Sequence, residues 1–189
     1  EAYPSDGFVY WFFWNMSGPW LCNHIWEHYL YTKDIDFLKK YYPILKGSAT
    51  FCSEWLVENS EGELVTPVST SPENAYLMPD GISASVCEGS TMDIAIIRSL
   101  FSNTINASKI LQTDSLFCAE LTQKVNKLKK YQIGSKGQLL EWDKEYMENE
   151  PQHRHVSHLF GLYPGCDITD YTPELFDACL LYTSDAADE

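Results

Sequence analysis

The chain has 189 residues, of which 44% are hydrophobic and 14% aromatic, and its 13 basic and 27 acidic residues give a net charge of −14. This apolar content excludes an intrinsically disordered chain, because enough surface can be buried to offset the entropy of ordering. The charge argues against nucleic acid and an anionic membrane surface as partners, because both need a cationic footprint. We therefore expect one folded domain that binds a neutral or cationic ligand.

The first part of the chain is predicted to be helical. One helix is expected over residues 20–32, after a Gly-Pro pair. A short second helix is expected to follow, with Asp34 or Asp36 as its N-cap. A third is expected to begin at Pro43, because the fixed φ of proline suits the first helical position. The apolar spacing of this third helix predicts a face that is mostly buried.

Further helices are predicted in the second part. One begins at the capping sequence that leads into Asp93, and another is capped by Asp114. A last helix opens at Thr172-Pro173. The best strand signal, over residues 63–66, is weak, so the sequence predicts an all-α fold. Two long loops, about 66–89 and 134–170, alternate with short connections, a pattern that indicates part of an α/α toroid with the long loops at one rim.

The first long loop contains a candidate acid. Glu73 lies in the turn Ser71-Pro72-Glu73-Asn74, where proline fixes its own φ and biases the preceding residue towards an extended conformation. Two interpretations stay open from the residues alone. Glu73 is either a solvated loop carboxylate or a general acid that the turn holds rigidly.

The second long loop is rich in side chains that can bind polar ligands. It contains Glu141, Trp142, Asp143 and Glu145, followed by His153, Arg154, His155 and His158. The spacing of the histidines matches no recurring metal site, and the arginine repels a cation. Imidazole and guanidinium donors can instead bind sugar hydroxyls or a carboxylate. For His158, packing against a helix start is an equally good interpretation.

Two patterns near the start of the chain have competing interpretations. His24 and His28 fit H-x-x-E-H, the inverted zinc-protease motif, and i,i+4 spacing places both on one helix face. A zinc hydrolase is therefore an alternative, although no third ligand is marked among the acids. The aromatic cluster is either core or a stacking surface for a sugar ring. Its members are Tyr10, Trp11, Phe12, Phe13, Trp14 and Trp20.

Five longer stretches and one short one, in order, resemble glycoside hydrolase family 95, the inverting α-L-fucosidases that cut terminal Fucα1-2Gal. They cover nearly the whole chain, from about Trp11 to Ala178. The matching strings are WNMSGPWLCNHIWEHYLYTKDIDFLKKYYPILKGSATF, LVTPVSTSPEN, GSTMDIAIIRSLF, QIGSKGQLLEW and HRHVSHLFGLYPG, with TPEL after them.

The resemblance implies an (α/α)6 barrel whose cavity binds fucose at the end of an oligosaccharide or glycan, with no cofactor and no metal. It implies that Glu73 is the general acid, with a raised pKa that keeps the carboxyl protonated near neutral pH. It also implies that the sugar is bound by residues in the matching strings. These are Arg154, His155, Trp14, Trp20, Asn74 and Trp142.

The chain departs from the family pattern on the side of the catalytic base. The family's N-I-N-type and F-Q-I-D-G-N-type motifs are not found, and Asn15, Asn23 and Asp167 do not match them. We therefore expect residues 1–178 to be an internal fragment of the catalytic domain, inactive or nearly so by itself. Residues 179–189 are expected to be a non-family tail that resembles sequencing-adaptor read-through. The sequence leaves localisation open.

Three alternatives to an α-L-fucosidase are kept. An α-L-galactosidase of the same family is the nearest, since the two sugars differ only at C6. From other classes, we keep the zinc hydrolase that would use His24 and His28, and a carbohydrate-binding helical module without catalytic activity.

Overall fold

The computed structural model describes residues 9–11 and 13–184, without the side chains of 182–184. Phe12 of the aromatic cluster and the end of the predicted tail therefore lie outside the described residues. The chain divides into two units. Unit 1 is formed by residues 1–14, 66–95 and 130–189, and unit 2 by residues 15–65 and 96–129.

Unit 2 is built almost entirely from helices. Its elements are α1 (Ser17–Thr32), α2 (Ile35–Trp55), most of α3 (Thr91–Leu111), α4 (Ser115–Lys127) and the antiparallel pair of β1 (Val57–Glu58) and β2 (Leu64–Val65). Along α2, buried residues recur at alternating steps of three and four, which is the period of one helix face. They are Leu38, Tyr42, Leu45, Ala49 and Cys52. The α1 and α2 helices pack against each other.

The predicted break before Pro43 is wrong, because α2 is one continuous helix with Pro43 inside it. A proline in a helix interior costs about 3 kcal/mol. Burial of one leucine side chain stabilises the fold by about 1.5–3 kcal/mol. The buried face continues on both sides of the proline through Leu38 and Leu45, so its burial offsets the cost of the proline. Asp34 is the N-cap, and its carboxylate accepts a hydrogen bond from the backbone N–H of Phe37 at 2.9 Å.

Unit 1 contains the two long loops, and short strands connect them. The strands β3 (Tyr76–Leu77), β4 (Ser83–Ala84) and β5 (Met147–Glu148) form an antiparallel sheet in the order β4-β3-β5. Tyr76 lies opposite Ala84 on one side and Glu148 on the other. Unit 1 also contains two 3-10 helices (Val9–Trp11 and Ser157–Gly161), the first residues of α3, and α5 (Pro173–Ser184). Because β3 and β5 come from different loops, the sheet holds both loops in one place.

The predicted helical class is confirmed, since the described residues contain five α-helices and their five strands have two residues each. The helix that starts near Asp93, the helix after Asp114 and the last helix are all present. The predicted cap at Asp114 is wrong, because its side chain makes no capping hydrogen bond and instead accepts from Lys46 Nζ at 2.8 Å. In the part of the chain that the structure describes, no helix is both long and apolar enough to cross a membrane.

Replacing Leu45 with Ala is expected to lower the free energy of unfolding by about 2–5 kcal/mol, because the side chain is fully buried and its removal leaves a cavity. Leu116→Ala is the matched control, since Leu116 of the same unit is 87% exposed and its loss should cost less than about 0.5 kcal/mol. Urea unfolding of the two variants measures the difference. Equal losses would contradict the assignment of α2 to the core.

Candidate active site

Glu73 lies at the third position of a tight turn. The backbone N–H of Asn74 donates to the carbonyl of Ser71 at 3.3 Å, with Pro72 second in the turn and Glu73 at φ +53°. Proline followed by a left-handed residue is the pattern of a type II turn, which usually has glycine at the left-handed position. A residue other than glycine there costs about 1–3 kcal/mol. The turn around Glu73 therefore depends on contacts from elsewhere in the unit.

The second loop brings a guanidinium and an imidazole to the carboxylate of Glu73. Arg154 Nη2 donates a short hydrogen bond to Glu73 Oε2, and His155 Nε2 lies 3.1 Å from the same oxygen. His153 Nε2 lies 3.1 Å from the backbone carbonyl of Glu73. The side chains of Glu73 and Arg154 are 44% and 74% exposed, so solvent screens the ion pair and it contributes little to stability.

The protonation state of Glu73 differs from the prediction. The Arg154 hydrogen bond, and after it the His155 contact, hold the pKa of the Glu73 carboxyl below its usual range. The raised pKa that we predicted for a general acid is therefore wrong for this state of the protein. The physical reason is that the carboxylate is solvated and faces a cation, and both favour its ionised form.

A buried carboxylate lies behind the turn. Glu141 Oε1 accepts a short hydrogen bond from Ser71 Oγ, and Asn74 Nδ2 donates to both Glu141 oxygens at 3.1 and 3.0 Å. Burial raises the pKa of Glu141. The neighbouring His158 is 2% exposed, and burial lowers its pKa to about 4, so its ring is neutral near pH 7. His158 therefore belongs to the packed interior, one of the two interpretations open from the sequence.

A second buried carboxylate holds the start of the first loop. Asp93, in the first turn of α3, accepts a short hydrogen bond from Ser69 Oγ and another from Trp14 Nε1 at 3.1 Å. The backbone N–H of Ser90 donates to Ser69 Oγ at 3.1 Å. Burial raises the pKa of Asp93 to about 7. From the sequence, Asp93 was predicted only to lie at a helix start, although an acid within the apolar sequence of α3 was a signal of a buried polar partner.

The other predicted sugar contacts are distributed over both units. Asn74 and Trp142 are 8% and 6% exposed, and Trp142 meets the ring of Tyr76 edge-on at 4.9 Å between centroids. Both line a cavity of about 30 Å³ in unit 1, together with Glu141, His153 and His155, which is room for about one water molecule. Trp14 is half-buried in unit 1, and Trp20 is half-buried on α1 in unit 2.

The zinc alternative is not favoured. His24 Nδ1 lies 3.7 Å from Glu27 of the same helix, and the ring of His28 lies against Phe37 at 3.8 Å between centroids. Within residues 9–11 and 13–184, His, Cys, Asp and Glu side chains do not converge in any group of three that could hold a metal ion.

Glu73 therefore lies beside guanidinium and imidazole groups, which can bind the hydroxyls of a sugar. Residues 2–182 match the glycosyl hydrolase family 95 catalytic domain. The chain belongs to this family. It is 45% identical to alpha-L-fucosidase 2 from Arabidopsis thaliana over 93% of its own length and 21% of that protein. It is 32% identical to probable alpha-fucosidase A from Aspergillus niger, over 81% of the chain and 19% of the relative.

The chain spans about a fifth of the length of these curated relatives. Family membership makes it a part of the (α/α)6 catalytic domain, as predicted. The predicted boundary between residues 178 and 179 stays a prediction.

Proposed function

We propose that this chain supplies the acid side of the active site of an inverting α-L-fucosidase. Glu73 would protonate the leaving oxygen, while Arg154 and His155 would bind hydroxyls of the sugar. The observation that carries the proposal is the convergence of Arg154 and His155 on Glu73, in a chain that belongs to family 95. The names of the relatives, alpha-L-fucosidase 2 and probable alpha-fucosidase A, support fucoside as the substrate class.

The acid has to be protonated when the substrate is bound. Arg154 Nη2 donates to Glu73, and Arg154 Nε donates to His155 Nε2 at 3.3 Å. A sugar hydroxyl that accepts from Arg154 would replace the contact with Glu73, and the sugar would exclude water from the carboxyl. Both changes raise the pKa of Glu73 and favour the protonated acid. The ion pair is weak because it is exposed, so the substrate can replace it at low cost.

The proposed reaction is the single displacement of an inverting glycosidase. The proton of Glu73 passes to the glycosidic oxygen as the bond from this oxygen to the anomeric carbon breaks. Water attacks the opposite face of the sugar, so β-L-fucose is released. The water loses its proton to a base, and the motifs expected to hold that water and base are not among the matching strings. We propose that they belong to the remainder of the full-length protein.

The substrate is proposed to be an oligosaccharide or glycan that ends in α1,2-linked L-fucose. Initial rates of a full-length reading frame containing this chain, on 2′-fucosyllactose and on the matched α-L-galactoside, separate the two family activities. We expect the fucoside to be preferred by up to about 10²-fold, because a pocket discriminates weakly against one added hydroxyl. Preference for the galactoside would support the alternative sugar. Sugar binding without turnover, unchanged by Glu73→Gln, would support the non-catalytic module.

Arg154→Gln should move the alkaline limb of the kcat/KM–pH profile to higher pH. This limb reports loss of the proton from the acid of the free enzyme. Because Arg154 lowers the pKa of Glu73, its removal raises that pKa, and the protonated acid persists to higher pH. KM should also rise, because a sugar contact is lost. An alkaline limb that stays in place or moves to lower pH would contradict the assignment of Glu73.

A further inference from the structure

Glu141 forms hydrogen bonds with one residue before Glu73 in the sequence and with one residue after it. Ser71 and Asn74 are the first and last residues of the four-residue turn, and both donate to the Glu141 carboxylate. Ser71 Oγ also lies 2.6 Å from Ser157 Oγ. The left-handed conformation of Glu73 is thus held by one side chain, that of Glu141, which binds the two ends of its turn.

Glu141 is itself fixed by α3. Its backbone carbonyl accepts from the N–H of Thr91 at 3.0 Å, and Thr91 Oγ1 donates to the carbonyl of Leu140 at 2.6 Å. The Glu141 side chain is 14% exposed. A buried carboxylate with both oxygens occupied and its backbone tied to a helix start is a rigid support for a strained turn.

We infer that Glu141 is a positioning residue for Glu73, which it acts on through Ser71 and Asn74 without contact to the substrate. This inference rests on the proposed role of Glu73 as the general acid. In Glu141→Gln, an amide replaces one accepting oxygen, so its N–H₂ would face a donor of Ser71 or Asn74. The turn would relax, and a shift of about 1 Å at a catalytic group can reduce the rate about 10²-fold.

The test compares two substrates of the full-length protein. Hydrolysis of 2′-fucosyllactose needs protonation of the leaving oxygen, whereas α-L-fucosyl fluoride releases a better leaving group that depends little on an acid. We expect Glu141→Gln to lower kcat on 2′-fucosyllactose about 10- to 100-fold, to change the rate on the fluoride less than about threefold and to leave KM nearly unchanged. Glu145→Gln is the matched control, since Glu145 lies in the same loop and bonds to Ser135 instead.

Equal losses on both substrates would overturn the inference, because a merely structural defect affects every substrate, and so would no loss on either. Ser71→Ala provides a milder second variant if Glu141→Gln does not fold. This variant removes the hydrogen bond from Ser71 to the Glu141 carboxylate. Its activity should again fall more on 2′-fucosyllactose than on the fluoride, but less than in Glu141→Gln. Glu73→Gln separates this inference from the proposed function. If Glu73→Gln loses activity equally on 2′-fucosyllactose and on the fluoride, the proposed role of Glu73 is wrong. If Glu73→Gln loses more on 2′-fucosyllactose but Glu141→Gln does not, only the positioning role of Glu141 is wrong.

Discussion

Replacing Glu73 with Gln is expected to reduce hydrolysis of 2′-fucosyllactose by the full-length protein about 10³-fold, within the range that general acid catalysis contributes. Glutamine has nearly the same shape but cannot donate a proton to the leaving oxygen. The fold should be unaffected, because the Glu73 side chain is 44% exposed and its ion pair contributes little. Rates at saturating substrate, with thermal unfolding measured alongside, test this expectation.

Glu88→Gln is the matched control, because Glu88 is an exposed acid of the same loop and makes the same change in charge. Activity on α-L-fucosyl fluoride should fall much less than activity on 2′-fucosyllactose in Glu73→Gln. Activity on 2′-fucosyllactose within threefold of the wild type would show that Glu73 is not the acid.

The second large effect concerns Asp93 and the pH dependence of stability. Burial raises the pKa of Asp93 from 3.8 to about 7. The folded state therefore binds the proton more tightly than the unfolded state, and the free energy of unfolding falls as the pH rises from about 4 to about 7. At about 1.4 kcal/mol per pKa unit, the total loss is on the order of 4 kcal/mol.

Asp93→Asn should remove this dependence. Asparagine does not ionise, so the difference in unfolding free energy between wild type and variant should change by the predicted amount between pH 4 and pH 8. The change in this difference is informative even if the amide fits less well at every pH. Asp80→Asn, in an exposed turn, serves as the control. Parallel pH profiles for wild type and Asp93→Asn, measured by urea unfolding, would contradict the buried ionisation.

Local patterns predicted the helices well where the signal lay in neighbouring residues. The N-cap at Asp34 and the helix start at Pro173 are both present. The break at Pro43 was wrong because local propensity was outweighed by burial of a face on both sides of the proline. The sheet of β3, β4 and β5 was missed because each strand has only two residues, and its pairing joins loops that are far apart in sequence.

The candidate site was predictable in its residues but not in its electrostatics. The family resemblance implied that Glu73 is the acid and that Arg154 and His155 contact the sugar, and the structure brings the three side chains together. The lowered pKa of Glu73 depends on Arg154, which is 81 residues away in the sequence. A pattern of neighbouring residues cannot predict a contact over that separation. The hydrogen bonds of Glu141 and Asp93 were missed for the same reason.

We propose that this chain belongs to an enzyme that releases L-fucose with inversion. The most direct measurement follows 2′-fucosyllactose by proton NMR from the first minutes after the full-length protein is added. We expect equimolar lactose and L-fucose, with the β-anomer of fucose appearing first and the α-anomer only later by mutarotation. No release of fucose, or the α-anomer as the first product, would contradict it.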